Sequence, residues 1–133
     1  MACIHKEIGI DASPDVVWAA VRDVGAVHER LVPGVLTATR MEPGARVVTF
    51  ANGMVVRELI VDLDDQKRRL AYAAVGGRAT HHHASIQVLA EGANRCRLVW
   101  ITDLLPPEMA GPIAQLVEQG AAVMKQTLEA NRA

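Results

Sequence analysis

Between residues 35 and 104 the chain is cut at short intervals by turn chemistry. Glu42-Pro43-Gly44, Asn52-Gly53, Asp64-Asp65-Gln66-Lys67, Gly76-Gly77 and Glu91-Gly92-Ala93-Asn94 separate runs rich in Val, Ile, Leu and Thr. Such punctuation predicts strands at roughly 35–41, 45–51, 54–63, 69–75, 81–90 and 95–104. Connections this short join antiparallel neighbours, so the strands form a meander and not a parallel sheet. Pro106-Pro107 ends the pattern, and from Glu108 to about Asn131 the period becomes helical. Ile113, Leu116, Val117, Gly120, Val123, Met124, Thr127 and Leu128 fall on one stripe. A helix with one apolar stripe must bury it, and the sheet is the partner this chain offers.

The N-terminal third adds one more strand and two short helices. Residues 2–11 read as a strand with Ile4, Ile8 and Ile10 on one face. Ser13 then offers an N-cap, Pro14 a first helical position and Asp15 a charge suited to the helix N-terminus. The first helix runs to about Asp23, and a second helical turn, Ala26 to Leu31, stops before Pro33-Gly34. The fold expected is α+β: a seven-stranded curved antiparallel sheet around a long C-terminal helix, with two short helices after strand 1. It forms a single domain over residues 1–133. Half the residues are hydrophobic, yet there is one Phe, one Tyr and two Trp. Val, Leu, Ile, Ala and Met must therefore fill the interior, or leave a hollow in it.

Composition removes several classes of function. With 14 basic and 15 acidic residues the formal net charge is -1, which lacks the cationic surplus of a nucleic-acid or polybasic membrane-surface binder. No apolar run approaches the roughly 20 residues of a membrane span. Met1 to Asp11 has no signal-peptide hydrophobic region, so a cytoplasmic location is expected. Cys3 and Cys96 make neither a CxxC pair nor a zinc spacing and read as reduced thiols. His81-His82-His83 is divided by strand geometry: the outer two share a face and His82 points the other way. Neither a metal nor a cofactor is expected. GxGxxG, P-loop and GxSxG motifs are absent.

Strand alternation assigns faces. In the last strand Arg95 and Arg97 mark the outer side, which turns Trp100 inward with Cys96, Leu98 and Thr102. In the strand before it, His82, Ala84, Ile86 and Val88 go in. Leu70, Tyr72 and Ala74 go in from the strand at 69–75. The strand at 54–63 is ambiguous: Val56, Glu58 and Ile60 share one face, and Val55, Arg57, Leu59 and Val61 share the other. Arg40, Arg46, Arg57, Arg69, Arg95 and Arg97 read as a solvated outer face. Leu116, Val117, Gly120, Ala121 and Met124 make the helix wall facing the sheet. A glycine inside a helix costs about 1 kcal/mol against Ala, so Gly120 suggests that something else takes its space.

The chain resembles the START-related superfamily of polyketide cyclases, dehydrases and lipid-transport proteins over nearly its whole length. The resemblance rests on IDASPDVVWAAVRDV at 10–24, HERLVPGV at 28–35, VVRELIVDLDDQKRRLAYAAVGG at 55–77, HASIQV at 83–88 and RLVWITDLLP at 97–106, with the final helix. It implies a helix-grip fold with a cavity between sheet and C-terminal helix. Many members carry a Glu at the position of Glu58, pointing into that cavity, which implies Val56, Glu58 and Ile60 inside. It also implies that the region of His28 forms part of the cavity wall. Two departures stand out: His82 replaces a common Tyr, and Ala51-Asn52-Gly53 lacks the Ser-Gly-Leu-Pro gate of the plant hormone-receptor branch.

The expected ligand wall is thus His28, Val56, Glu58, Ile60, Tyr72, Ala74, His82, Ala84, Trp100, Leu116, Val117, Gly120, Ala121 and Met124. Burial disfavours the charged form of Glu58, and a neighbouring carboxylate favours the charged form of His82. Three functions compete. One is a binding module for an apolar small molecule such as a lipid, a polyketide fragment or an aromatic metabolite. The second is a cyclase- or dehydratase-like enzyme with Glu58 and His82 as its candidate catalytic acid and base. The third is a homodimer through the outer sheet face or the N-terminal edge strand.

Overall fold

A computed structural model describes residues 2–131. The elements are β1 (Ala2–Ile10), α1 (Pro14–Arg22), a 3-10 turn (Val24–Ala26) running into α2 (Val27–Arg30), then β2 (Leu36–Glu42) and β3 (Ala45–Phe50). The chain continues as β4 (Val55–Asp64), β5 (Arg69–Val75), β6 (His81–Ala90) and β7 (Cys96–Leu105). A second 3-10 turn (Pro107–Met109) leads into α3 (Ala110–Ala130), so the regular helix starts two residues beyond the expected Glu108. Pro112 accounts for the delay, since it has no N–H to give the Glu108 carbonyl four residues back and its ring crowds that carbonyl.

The sheet has seven strands in the order β1-β7-β6-β5-β4-β3-β2, and every neighbouring pair is antiparallel. Strands β2 to β7 form the meander that the turns dictate. At the β4–β5 turn the Asp64 carboxylate accepts from the backbone N–H groups of Gln66 and Lys67, both at 3.0 Å. β1 closes the far edge by pairing with β7, so the chain must cross the whole sheet between β1 and β2. The two short helices make that crossing. Ser13 caps α1, its hydroxyl accepting from Val16 N–H at 3.2 Å, and Pro14 opens the helix.

The curved sheet grips α3, giving the helix-grip fold. Ile8 and Ile10 of β1, Leu98 of β7, Ile86 and Val88 of β6, and Leu70 of β5 form a buried floor. Val17, Trp18 and Val21 of α1 cover one end of it, and Ala121, Met124 and Leu128 of α3 cover the middle. The C-terminal half of α3 is tied to β1. Lys125 Nζ donates to Gly9 O at 2.7 Å, and Asp11 N–H donates to Glu129 at 2.9 Å. The N-terminal half of α3 lies over the open part of the sheet, and the cavity forms there.

β4 settles its own ambiguity. Val55 and Val61 are 61% and 55% exposed, whereas Val56 and Ile60 pack on the core. The register slips between Ile60 and Asp62, so Val61 bulges and Leu63, not Asp62, follows Ile60 inward. The inward phase is therefore Val56, Glu58, Ile60, the one an apolar count would reject.

Candidate functional site

A cavity of about 110 Å³ lies between the sheet, the N-terminal half of α3, and α2 with the loop after it. Its apolar walls come from three directions. Val27, Leu31, Val32, Val35 and Leu36 close one side, Phe50, Leu70 and Ile86 form the floor, and Ile113, Leu116, Val117, Gly120 and Met124 form the roof. Arg46, Glu58, Tyr72, His82, Trp100 and Thr102 supply the polar atoms.

These polar residues form a connected set. Arg46 and Glu58 are directly opposite each other on β3 and β4. Arg46 Nε donates to Glu58 Oε1 at 2.7 Å, and Arg46 Nη1 donates to Val24 O at 3.3 Å. The two side chains are 4% and 14% exposed, so this ion pair sits largely out of water. The guanidinium lies 5.1 Å from the centroid of the Tyr72 ring, within cation–π range. The Tyr72 hydroxyl accepts from Trp100 Nε1 at 3.2 Å. Burial raises the Tyr72 phenol well above its usual range, with the Glu58 charge adding to the effect, so it stays protonated as a donor.

Gly120 shows what its missing side chain is for. A Cβ there would meet the Trp100 ring edge at 3.2 Å. Trp100 thus takes the space beside the helix and presents its indole N–H to Tyr72.

His82 departs from expectation. Desolvation lowers its pKa more than the Glu58 charge raises it, and His81 adds to the lowering. The imidazole is neutral at neutral pH. Glu58 departs as well, because its carboxylate lies against the guanidinium of Arg46 and not bare in an apolar pocket.

Of the expected wall, the cavity brings together Glu58, Tyr72, His82, Trp100, Leu116, Val117, Gly120 and Met124. Val56 and Ile60 point inward but pack on the core beside it. Ala84 and Ala121 are buried in the core itself, and Ala74 is half-buried next to Glu58 in the sheet register. His28 stands apart from the lining, with Nε2 3.4 Å from Glu29 and a buried Nδ1 that has no hydrogen-bond partner among the described residues. Its helix contributes Val27 instead.

Arg46 corrects the reading of the arginines as one solvated face: it is 3% exposed and on the cavity wall. A signal for it existed. The hairpin through Asn52-Gly53 sets Arg46 opposite Glu58, and cross-strand partners share a face, so turning Glu58 inward turns Arg46 inward too. The residues around α2 carried no such signal, because loop side chains have no fixed period. Among the described residues no group of three or more metal-ligating side chains gathers, and no helix is long and apolar enough to cross a membrane.

The chain matches the family model described as polyketide cyclase / dehydrase and lipid transport over residues 1–131, and it belongs to that family. No curated protein matches it. Solved structures share the fold at low identity. An uncharacterized protein from Bacillus thuringiensis superposes with a TM-score of 0.86 at 15% identity, covering 96% of this chain and 98% of that one. Norcoclaurine synthase from Thalictrum flavum, in complex with dopamine and hydroxybenzaldehyde, gives 0.75 at 18% identity, with 99% and 88% covered. A START superfamily protein from Mycobacterium smegmatis gives 0.74 at 11% identity, with 98% and 96% covered.

Proposed function

We propose that this protein binds a small, mainly apolar molecule in the cavity between the sheet and α3. The observation that carries the proposal is the shape of the chemistry: aliphatic walls on three sides, with the polar groups gathered on the sheet side. The volume, about 110 Å³, limits the occupant. Drug-sized ligands need roughly 300–1,000 Å³, whereas an apolar cavity of about 150 Å³ holds benzene. The buried part of the ligand is therefore a single ring or a short chain, such as an aromatic metabolite or one end of a lipid or polyketide. Norcoclaurine synthase, of the same fold, holds single-ring molecules, which supports the size class.

Native mass spectrometry of the purified protein, followed by heteronuclear NMR titration with a panel of single-ring and short-chain compounds, tests this. Shifts concentrated at Leu116, Val117 and Trp100 are the expected result. A panel without shifts at these residues overturns it.

Acid–base catalysis of a cyclase or dehydratase type is the weaker reading. His82, neutral and on the wall, is suited to accept a proton. The Glu58 carboxylate is already engaged, with Arg46 Nε donating to it at 2.7 Å.

A further inference from the structure

The cavity has a charge rule as well as a size. Arg46 and Glu58 cancel each other across 2.7 Å, and His82 adds no charge at neutral pH. An anion placed beside Arg46 would also face the Glu58 carboxylate, and a cation beside Glu58 would face the guanidinium. Either would bring an uncompensated charge into a site shielded from water, which desolvation opposes. Hydrogen-bonding capacity nonetheless remains. Arg46 has five N–H donors, of which bonds to Glu58 and Val24 occupy two. The Tyr72 hydroxyl takes a bond from Trp100, and no acceptor for its own proton is found among the described residues. Glu58 Oε1 is engaged by Arg46, while Oε2 accepts no hydrogen bond among the described residues.

We infer that the cavity selects uncharged molecules bearing a hydroxyl or carbonyl oxygen at their buried end, and discriminates against their ionised analogues. The oxygen accepts from Tyr72 or Arg46, and a hydroxyl has Glu58 Oε2 as an acceptor. This deepens the binding function proposed above and rests on it.

Four probes of one ring size separate the outcomes: benzyl alcohol, benzoate, benzylammonium and toluene, titrated into the full chain at neutral pH by calorimetry and ligand-observed NMR. The expected result is benzyl alcohol binding at least about tenfold more tightly than benzoate and benzylammonium. Benzoate or benzylammonium within about threefold of benzyl alcohol overturns the inference. Toluene binding without benzyl alcohol also overturns it, while leaving the apolar cavity standing. Binding of none overturns both. Glu58→Gln sharpens the test: with the Arg46 charge released, benzoate gains on benzyl alcohol by about tenfold. An unchanged ratio in the folded variant overturns the charge rule, and the wild-type series decides alone where the variant does not fold.

Discussion

The Arg46–Glu58 pair offers the most demanding test of the site's electrostatics. At an effective dielectric near 20, two charges about 4 Å apart attract by about 4 kcal/mol. Contact at 2.7 Å with side chains 4% and 14% exposed puts this pair in that regime and not with surface ion pairs. Removing one partner strands the other. Glu58→Leu leaves a buried guanidinium and is expected to cost about 3–5 kcal/mol. Arg46→Met leaves a buried carboxylate and also loses the bond to Val24 O and the contact with Tyr72, so it costs about 1 kcal/mol more. The double variant removes both charges and both desolvation penalties, and replaces them with apolar contact. It should lie within about 2 kcal/mol of the wild type, far from the sum of the single effects. Urea titrations followed by circular dichroism give the three values, provided the slopes agree. Additivity within about 0.5 kcal/mol would refute the argument, since it would mean that water screens each charge separately.

Three smaller tests address other parts of the fold. The pKa of His82 is lowered in the folded state, so the unfolded chain takes up that proton first as pH falls. Its contribution is therefore intact above the ordinary value of 6.5 and lost as pH drops below it; His82→Gln should flatten that part of the stability profile, and an unchanged slope would refute it. Gly120→Ala should gain up to about 1 kcal/mol in helix propensity, while its Cβ pushes Trp100 a few tenths of an ångström toward the cavity and weakens ligand binding; a net loss in thermal denaturation would show that the ring cannot give. Ser13→Ala should cost about 1 kcal/mol by freeing the Val16 N–H, and no change in the urea midpoint would mean that water replaces the cap.

What the sequence discloses follows from the range of the forces involved. Turns and caps are local, so Asn52-Gly53, Asp64–Lys67 and Ser13-Pro14 mark element ends that the structure reproduces within about two residues. The inward face of β6 and β7 was equally legible, because the arginines at 95 and 97 leave one choice for Leu98 and Trp100. β4 was not. Its bulge at Val61 interrupts the two-residue period, and exposed Val55 and Val61 imitate a core face while Glu58 hides behind Arg46. The family resemblance supplied that phase where periodicity failed. Arg46 itself was misread because an arginine on a strand is ordinarily solvated, and its burial depends on a partner 12 residues away. The α2 side of the cavity, from Val27 to Leu36, depends on tertiary placement that no local pattern encodes.

The stability test and the binding test bear on each other. A buried ion pair adds little to stability beyond what apolar side chains of similar volume would provide. This chain fills most of its interior with aliphatic residues, yet puts a deeply shielded ion pair on the wall of its apolar cavity. Stability alone gives no reason for that location. A ligand does: the pair holds a guanidinium and a carboxylate in fixed positions, neutral in sum but each with hydrogen-bonding capacity left over. The two properties should then separate in the double variant Arg46→Met with Glu58→Leu. It should fold with near-wild-type stability while its preference for benzyl alcohol over toluene falls, because the oxygen has lost Arg46 and Glu58 and keeps only the Tyr72 hydroxyl as a partner. Retention of the wild-type preference in that variant would move the polar anchor to Tyr72 and His82 and leave the ion pair without a role in recognition.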